Sequence, residues 1–136
     1  MRHPQTSSVA GCPDAVNVKG TILVQLTGPA AGIGTSTGDL EGAVSVALTG
    51  GTPTGAATHV TMSHTFTTTN GSTLSTNDLG LLAPISPPLF AVSVRYDIVG
   101  GSGDYEGATG FIRTHGTVNL GTGVIDLLYV GRVCAA

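Results

Sequence analysis

The chain has 136 residues and a mass of 13.5 kDa, enough for one good core and too little for two. Only 10% of its residues are charged, 40% are hydrophobic and the net charge is −3; disorder needs the reverse balance and is excluded. The single lysine, Lys19, and the scattered Arg2, Arg95, Arg113 and Arg132 form no basic run, so no nucleic-acid partner is expected.

Residues 1–18 are polar and irregular, with no apolar signal-peptide core, and read as an N-terminal arm preceding a single barrel domain over residues 19–136. Either the protein is cytoplasmic or a leader has been removed. No apolar run approaches the roughly 18 residues of a membrane-spanning helix, so no membrane span is expected. Strand signals then follow, β-branched and alternating with period two: residues 21–27 (TILVQLT), 43–49 (AVSVALT), 58–68 (THVTMSHTFTT), 90–99 (FAVSVRYDIV), 109–118 (TGFIRTHGTV) and 124–133 (VIDLLYVGRV). Weaker signals at 72–76 and 78–82 bring the total to about eight. Turn signals punctuate them at Gly50-Gly51-Thr52-Pro53, Asn70-Gly71, Pro84 to Pro88 and Gly100-Gly101-Ser102-Gly103, where Gly and Asn tolerate positive φ and Pro blocks a central strand. No stretch carries a helical stripe. The expected class is all-β.

An internal repeat organises these elements. Gly38-Asp39-Leu40-Glu41-Gly42-Ala43 recurs 65 residues later, from 38 to 103, as Gly103-Asp104-Tyr105-Glu106-Gly107-Ala108. At the same offset Val46 falls on Phe111, Val60 on Ile125, Met62 on Leu127 and His64 on Tyr129, with parity kept. Two units that cannot each bury an apolar face would pair to close one barrel from two similar halves. The acidic residues of the motif, Asp39, Glu41, Asp104 and Glu106, admit two readings: loops for a cation such as Ca²⁺, or turns in which Asp bonds nearby N–H groups. No dense Asp/Asn ladder accompanies them, which favours turns and no metal. Asn70-Gly71-Ser72 fits a glycosylation acceptor and, better, a hairpin turn.

Cys12 precedes the first strand and Cys134 ends the last. In a closed barrel those strands are neighbours, so the two thiols are placed to form a disulfide; the alternative is two unrelated thiols. A disulfide points to an oxidising compartment, and with the neutral Thr/Gly/Ser surface to a secreted or extracellular protein.

Residues 99–116 (VGGSGDYEGATGFIRTHG) and 124–134 carry a Gly-rich turn, an aromatic and Gly-Ala-x-Gly leading into a strand, built here by Gly103, Tyr105, Gly107, Ala108 and Gly110. This element resembles the allene oxide cyclase barrel-like superfamily, which includes plant dirigent proteins, bacterial spirotetronate cyclases and small secreted bacterial proteins. The resemblance implies a closed antiparallel barrel of eight strands with a hydrophobic lumen. It implies no reaction, because members sharing this turn differ in activity and no catalytic residue is carried by it.

Alternation sorts the remaining polar residues. Val60, Met62, His64 and Phe66 share one face; so do Phe90, Val92, Val94, Tyr96 and Ile98, and so do Ile125, Leu127, Tyr129 and Val133. The repeat matches Phe111 and Arg113 to Val46 and Leu48, which turns Arg113 and His115 the apolar way. Five polar groups, His64, Tyr96, Arg113, His115 and Tyr129, thus fall on apolar faces: as lumen residues they orient a ligand or form a structural network, and the alternative is that the apolar face is the outer one and packs on another subunit. Two functions follow as expectations. One is a barrel that binds a hydrophobic small molecule, in a pocket of about 300 Å³ or more, and acts without a cofactor as a cyclase or isomerase. The other is a non-enzymatic structural protein that forms homo-oligomers or larger self-assemblies.

Overall fold

The computed structural model describes Cys12 and residues 15–134. Residues 1–11, 13 and 14 of the expected N-terminal arm lie outside the described residues, and its last three, from Val16, already belong to a strand. Eight strands follow in order: β1 (Val16–Gly28), β2 (Ala31–Ser36), β3 (Gly42–Thr54), β4 (Ala57–Thr68), β5 (Thr73–Ser86), β6 (Leu89–Ser102), β7 (Thr109–Asn119) and β8 (Val124–Cys134). Each pairs antiparallel with the next, and β8 returns to β1 from Val16↔Val133 to Gln25↔Val124. The result is the expected closed barrel, in which every strand has a neighbour on both sides.

Period-two alternation drives the closure. The inward residues of β4 (Val60, His64, Phe66), β6 (Val92, Val94, Tyr96, Ile98) and β8 (Leu127, Tyr129, Val133) are all buried, as their alternation predicts, while their neighbours are mostly solvent-facing. Several stretches differ from expectation. The weak signals at 72–76 and 78–82 are one continuous strand, β5, and the eighth strand is β2, whose sequence AGIGTS has no apolar inner face to announce it. Its inner positions are Gly32, Gly34 and Ser36, because a Cβ on Gly32 would stand 2.7 Å from Val24 Cγ1 and one on Gly34 only 1.9 Å from the Leu23 carbonyl oxygen. The Gly50-Gly51-Thr52-Pro53 stretch is no turn; it extends β3 beyond a bulge between Leu48 and Gly50.

The repeated motif builds two matching 3₁₀ turns at one end of the barrel, Gly38–Leu40 and Gly103–Tyr105. Gly38 and Gly103 adopt φ of 81° and 61° there, which requires glycine. Asp39 accepts a hydrogen bond from the Lys19 backbone at 2.9 Å, and Asp104 accepts one from Asn70 Nδ2 at 2.7 Å. These are turn-forming roles. Asn70 also accepts from Ser72 N at 3.0 Å, so the Asn70-Gly71 turn is knitted to its neighbour.

The Cys12–Cys134 disulfide forms at this same end, with a Cα–Cα distance of 6.1 Å, where the first and last strands adjoin. The end is plugged. Leu40 tucks beneath the first 3₁₀ turn, and Phe66, Leu74, Ile112 and Tyr129 are buried around it. The opposite end, formed by the hairpin loops β1–β2, β3–β4, β5–β6 and β7–β8, is where the lumen opens.

One half departs from the repeat. The offset pairs Phe111 with Tyr129, as Val46 pairs with His64; in the barrel Tyr129 faces Thr114 instead, three residues on. A slide by an odd number of residues exchanges the two faces of a strand. The inner side of β7 is therefore Ile112, Thr114, Gly116 and Val118. The reversal enters at Ala108, which is buried, and Gly110, at φ 125°.

Candidate functional site

The open end of the lumen holds a cavity of about 130 Å³. Its walls are aliphatic: Val46, Val60, Met62, Leu82, Val92, Val94, Val118, Ile125 and Leu127, with Pro29, Leu48 and Leu120 at the rim. Leu48 and Leu120 are 40% and 50% exposed, which marks the mouth. The volume is smaller than expected, because the aromatic column below fills the rest of the lumen. His64 stacks on Tyr96 at 4.3 Å between ring centroids; Phe66 lies 6.3 Å from each, and Tyr129 lies 6.5 Å beyond Phe66.

Two of the five expected lumen residues line this cavity, His64 and Tyr96. They form the only polar part of a wall otherwise made of hydrocarbon and proline. Both are held from behind. Asp78, on β5 between them, has a fully buried side chain whose Oδ2 lies 2.5 Å from His64 Nδ1, while its Oδ1 accepts from Thr76 Oγ1 at 2.6 Å. The carboxylate accepts a hydrogen bond from His64 Nδ1–H, and in that tautomer His64 Nε2 accepts from the Tyr96 hydroxyl at 3.1 Å. Adjacent strands make the arrangement possible, since His64 pairs with Thr76 and Asp78 with Tyr96 in register. Burial, and next the nearby Asp78 carboxylate, push the Tyr96 phenol far above its ordinary value, with a hydrogen bond from Thr114 acting the other way.

Tyr129 points inward but serves the plugged end. Its hydroxyl donates to the Thr37 carbonyl at 2.7 Å and accepts from Leu40 N at 2.9 Å, so it satisfies the backbone of the first 3₁₀ turn. Burial raises its phenol as well, against the Leu40 hydrogen bond, which lowers it. Arg113 and His115 are corrected outright: the slide of β7 puts both on the outer wall, exposed, and brings Thr114 into the interior. Asp78 and Thr76 are the residues that sequence reasoning missed. Their signal was the alternation Leu74-x-Thr76-x-Asp78-x-Gly80-x-Leu82, which resembles an apolar face only if two polar residues are allowed on it.

The arrangement is that of a small apolar well with a wired polar floor. Asp78 fixes the imidazole, and the imidazole is bonded to a phenol that also faces the cavity. Such a chain can orient one polar atom of a guest and move a proton between that atom and the ring nitrogen. The fold and site thus define a closed eight-stranded antiparallel barrel with a lumen cavity at one end. No family model, curated protein or solved structure matches the chain.

Proposed function

We propose that the protein binds a small hydrophobic molecule in the open end of its barrel, with the Tyr96 hydroxyl, held by His64, bonding to the one polar atom of the guest. The observation that carries this is the pairing of an aliphatic wall with a single hydrogen-bonded polar patch, the usual chemistry of a small-molecule pocket. Size narrows the class. A dry apolar cavity of about 150 Å³ takes benzene, so one of 130 Å³ takes a single ring or short branched chain, with larger guests protruding through the mouth. A phenol or a small cyclic alcohol fits both the volume and the floor, because the Tyr96 hydroxyl donates to His64 Nε2 and its oxygen is left to accept a hydrogen bond. The Asp78–His64–Tyr96 chain extends the proposal to cofactor-independent isomerisation or cyclisation, in which Tyr96 and His64 exchange a proton with an enolisable or hydroxylated guest. The disulfide supports a secreted or extracellular setting.

The test is a titration with p-cresol and cyclohexanol followed by NMR. Shifts confined to Val60, Met62, Val92 and the His64 ring are expected, and Val60→Phe, which fills the cavity, should abolish them while the barrel stays folded. Shifts that survive in Val60→Phe would remove the proposal.

A second reading has an observation of its own. Leu23, Ile33, Leu128 and Val130 are 51% to 61% exposed on the adjoining outer faces of β1, β2 and β8. A second copy covering them would make the protein a self-associating one. Sedimentation at millimolar concentration decides: a monomer throughout leaves only the binding role.

A further inference from the structure

The slide of β7 that removes Arg113 and His115 from the lumen gathers them with other side chains on the outer wall. Reading across three adjacent strands, Leu79 pairs with Arg95 and Arg95 with Arg113, while Leu81 pairs with Ser93 and Ser93 with His115. All six point outward and line a shallow groove of about 430 Å³.

Two features set this groove apart from an ordinary solvated face. First, Arg95 and Arg113 are directly opposite each other, an arrangement that destabilises a sheet, in a chain with only five lysines and arginines in all. Second, both guanidinium groups are steadied by one aromatic ring: their centres lie 4.8 Å and 5.5 Å from the Phe111 centroid. Arg95 spends its Nε on Asp97 at 2.8 Å; among the described residues Arg113 makes no hydrogen bond. Two cations, one of them countered by Asp97, are therefore held on neighbouring strands against one ring with most of their donors unspent. An oxyanion between them would relieve the repulsion and take those donors in the forked geometry that guanidinium offers to carboxylate and phosphate. Beside the cations, Leu79 and Leu81 leave 59% and 40% of their surface in water.

We propose that this groove binds the oxyanion headgroup of a small amphiphile, a carboxylate or phosphate on a short alkyl chain. The headgroup bridges Arg95 and Arg113, and the chain lies along Leu79 and Leu81. The site is separate from the lumen and independent of what the lumen holds. Two arginines beside an aspartate are too little charge for a nucleic acid, and the apolar rail gives a bare anion nothing to gain.

The oxidised full chain is titrated with octyl phosphate, octanoate, inorganic phosphate and octanol, following the Arg Nε–H and Leu methyl resonances. Octyl phosphate and octanoate should shift Arg95, Arg113, Leu79 and Leu81 together. Inorganic phosphate should bind at least tenfold more weakly than octyl phosphate, and octanol should leave the arginines unmoved. Arg113→Gln, an exposed change that a thermal melt will show to be folded, should weaken octyl phosphate at least tenfold. Val60→Phe, which closes the lumen, should leave that affinity unchanged. Undiminished binding in Arg113→Gln, loss of binding in Val60→Phe, or equal affinity for inorganic and octyl phosphate would each overturn the proposal. So would a response to phosphatidylglycerol vesicles without one to monomeric octyl phosphate.

Discussion

Asp78 brings a carboxylate into an interior otherwise made largely of hydrocarbon, and its bonds to His64 and Thr76 offset the loss of water. Removing one partner strands the other. His64→Leu is expected to destabilise the barrel by about 3–5 kcal/mol in urea denaturation, because it leaves the carboxylate buried and unpaired. The double change His64→Leu with Asp78→Leu should recover most of that loss, since the uncompensated charge goes too. If the double variant is less stable than the single one, the pair holds the fold together directly. Tyr96 makes a pH-dependent contribution with a definite sign. Its phenol is raised above the ordinary value of 10.0 in the folded chain, so folded and unfolded states both keep the proton below pH 10. Above pH 10 the unfolded chain releases it while the folded chain does not, and stability falls as pH rises. Wild-type protein should therefore lose stability more steeply with rising pH than Tyr96→Phe does between pH 10 and 12, read from urea midpoints.

At the scale of the strand, the sequence was legible wherever alternation ran unbroken. β4, β6 and β8 show their inner faces in Val60 to Phe66, Phe90 to Ile98 and Ile125 to Val133, and the inward positions of His64, Tyr96 and Tyr129 could be read directly. β2 could not, because glycines at 32 and 34 carry no hydropathy, and close approach of neighbouring backbone is what selects them. Nor could the facing of β7. Its two sides, Phe111-x-Arg113-x-His115 and Ile112-x-Thr114-x-Gly116, are equally mixed, so only the register decides, and the register depends on backbone turns near Gly110 rather than on side-chain polarity. The repeat misled here, because the sequence motif is kept in both halves while the pairing after it is displaced. Gly110 should accordingly be intolerant. At φ 125°, with an added Cβ only 2.1 Å from the Arg132 carbonyl oxygen, Gly110→Ala is expected to cost at least about 1–3 kcal/mol. Hydrogen exchange should show the loss of protection centred on the β7–β8 ladder.

For the whole molecule, closure is the governing fact. β1 meets β8 across nearly the full length of the chain, and the disulfide joins residues 122 apart beside that seam. On the chain-entropy account, so long a bridged loop stabilises the fold by up to about 4–5 kcal/mol. That is a large share of the total for a domain of this size, typically about 5–15 kcal/mol. Cys12→Ser with Cys134→Ser should lower the urea midpoint by a corresponding amount, and reduction of the wild type should match it. Lumen binding should persist in whatever fraction remains folded, because the bridge and the cavity occupy opposite ends.

An even number of up-and-down strands brings the chain back to the level at which it began, so Val16 enters and Cys134 leaves on the plugged side. A tether fixed near either point would stand the cylinder on its sealed base with the mouth facing bulk solvent. Immobilised that way on a sensor surface, every copy would offer its cavity unobstructed, whereas anchoring through the β5–β6 or β7–β8 hairpin loops would cover the entrance.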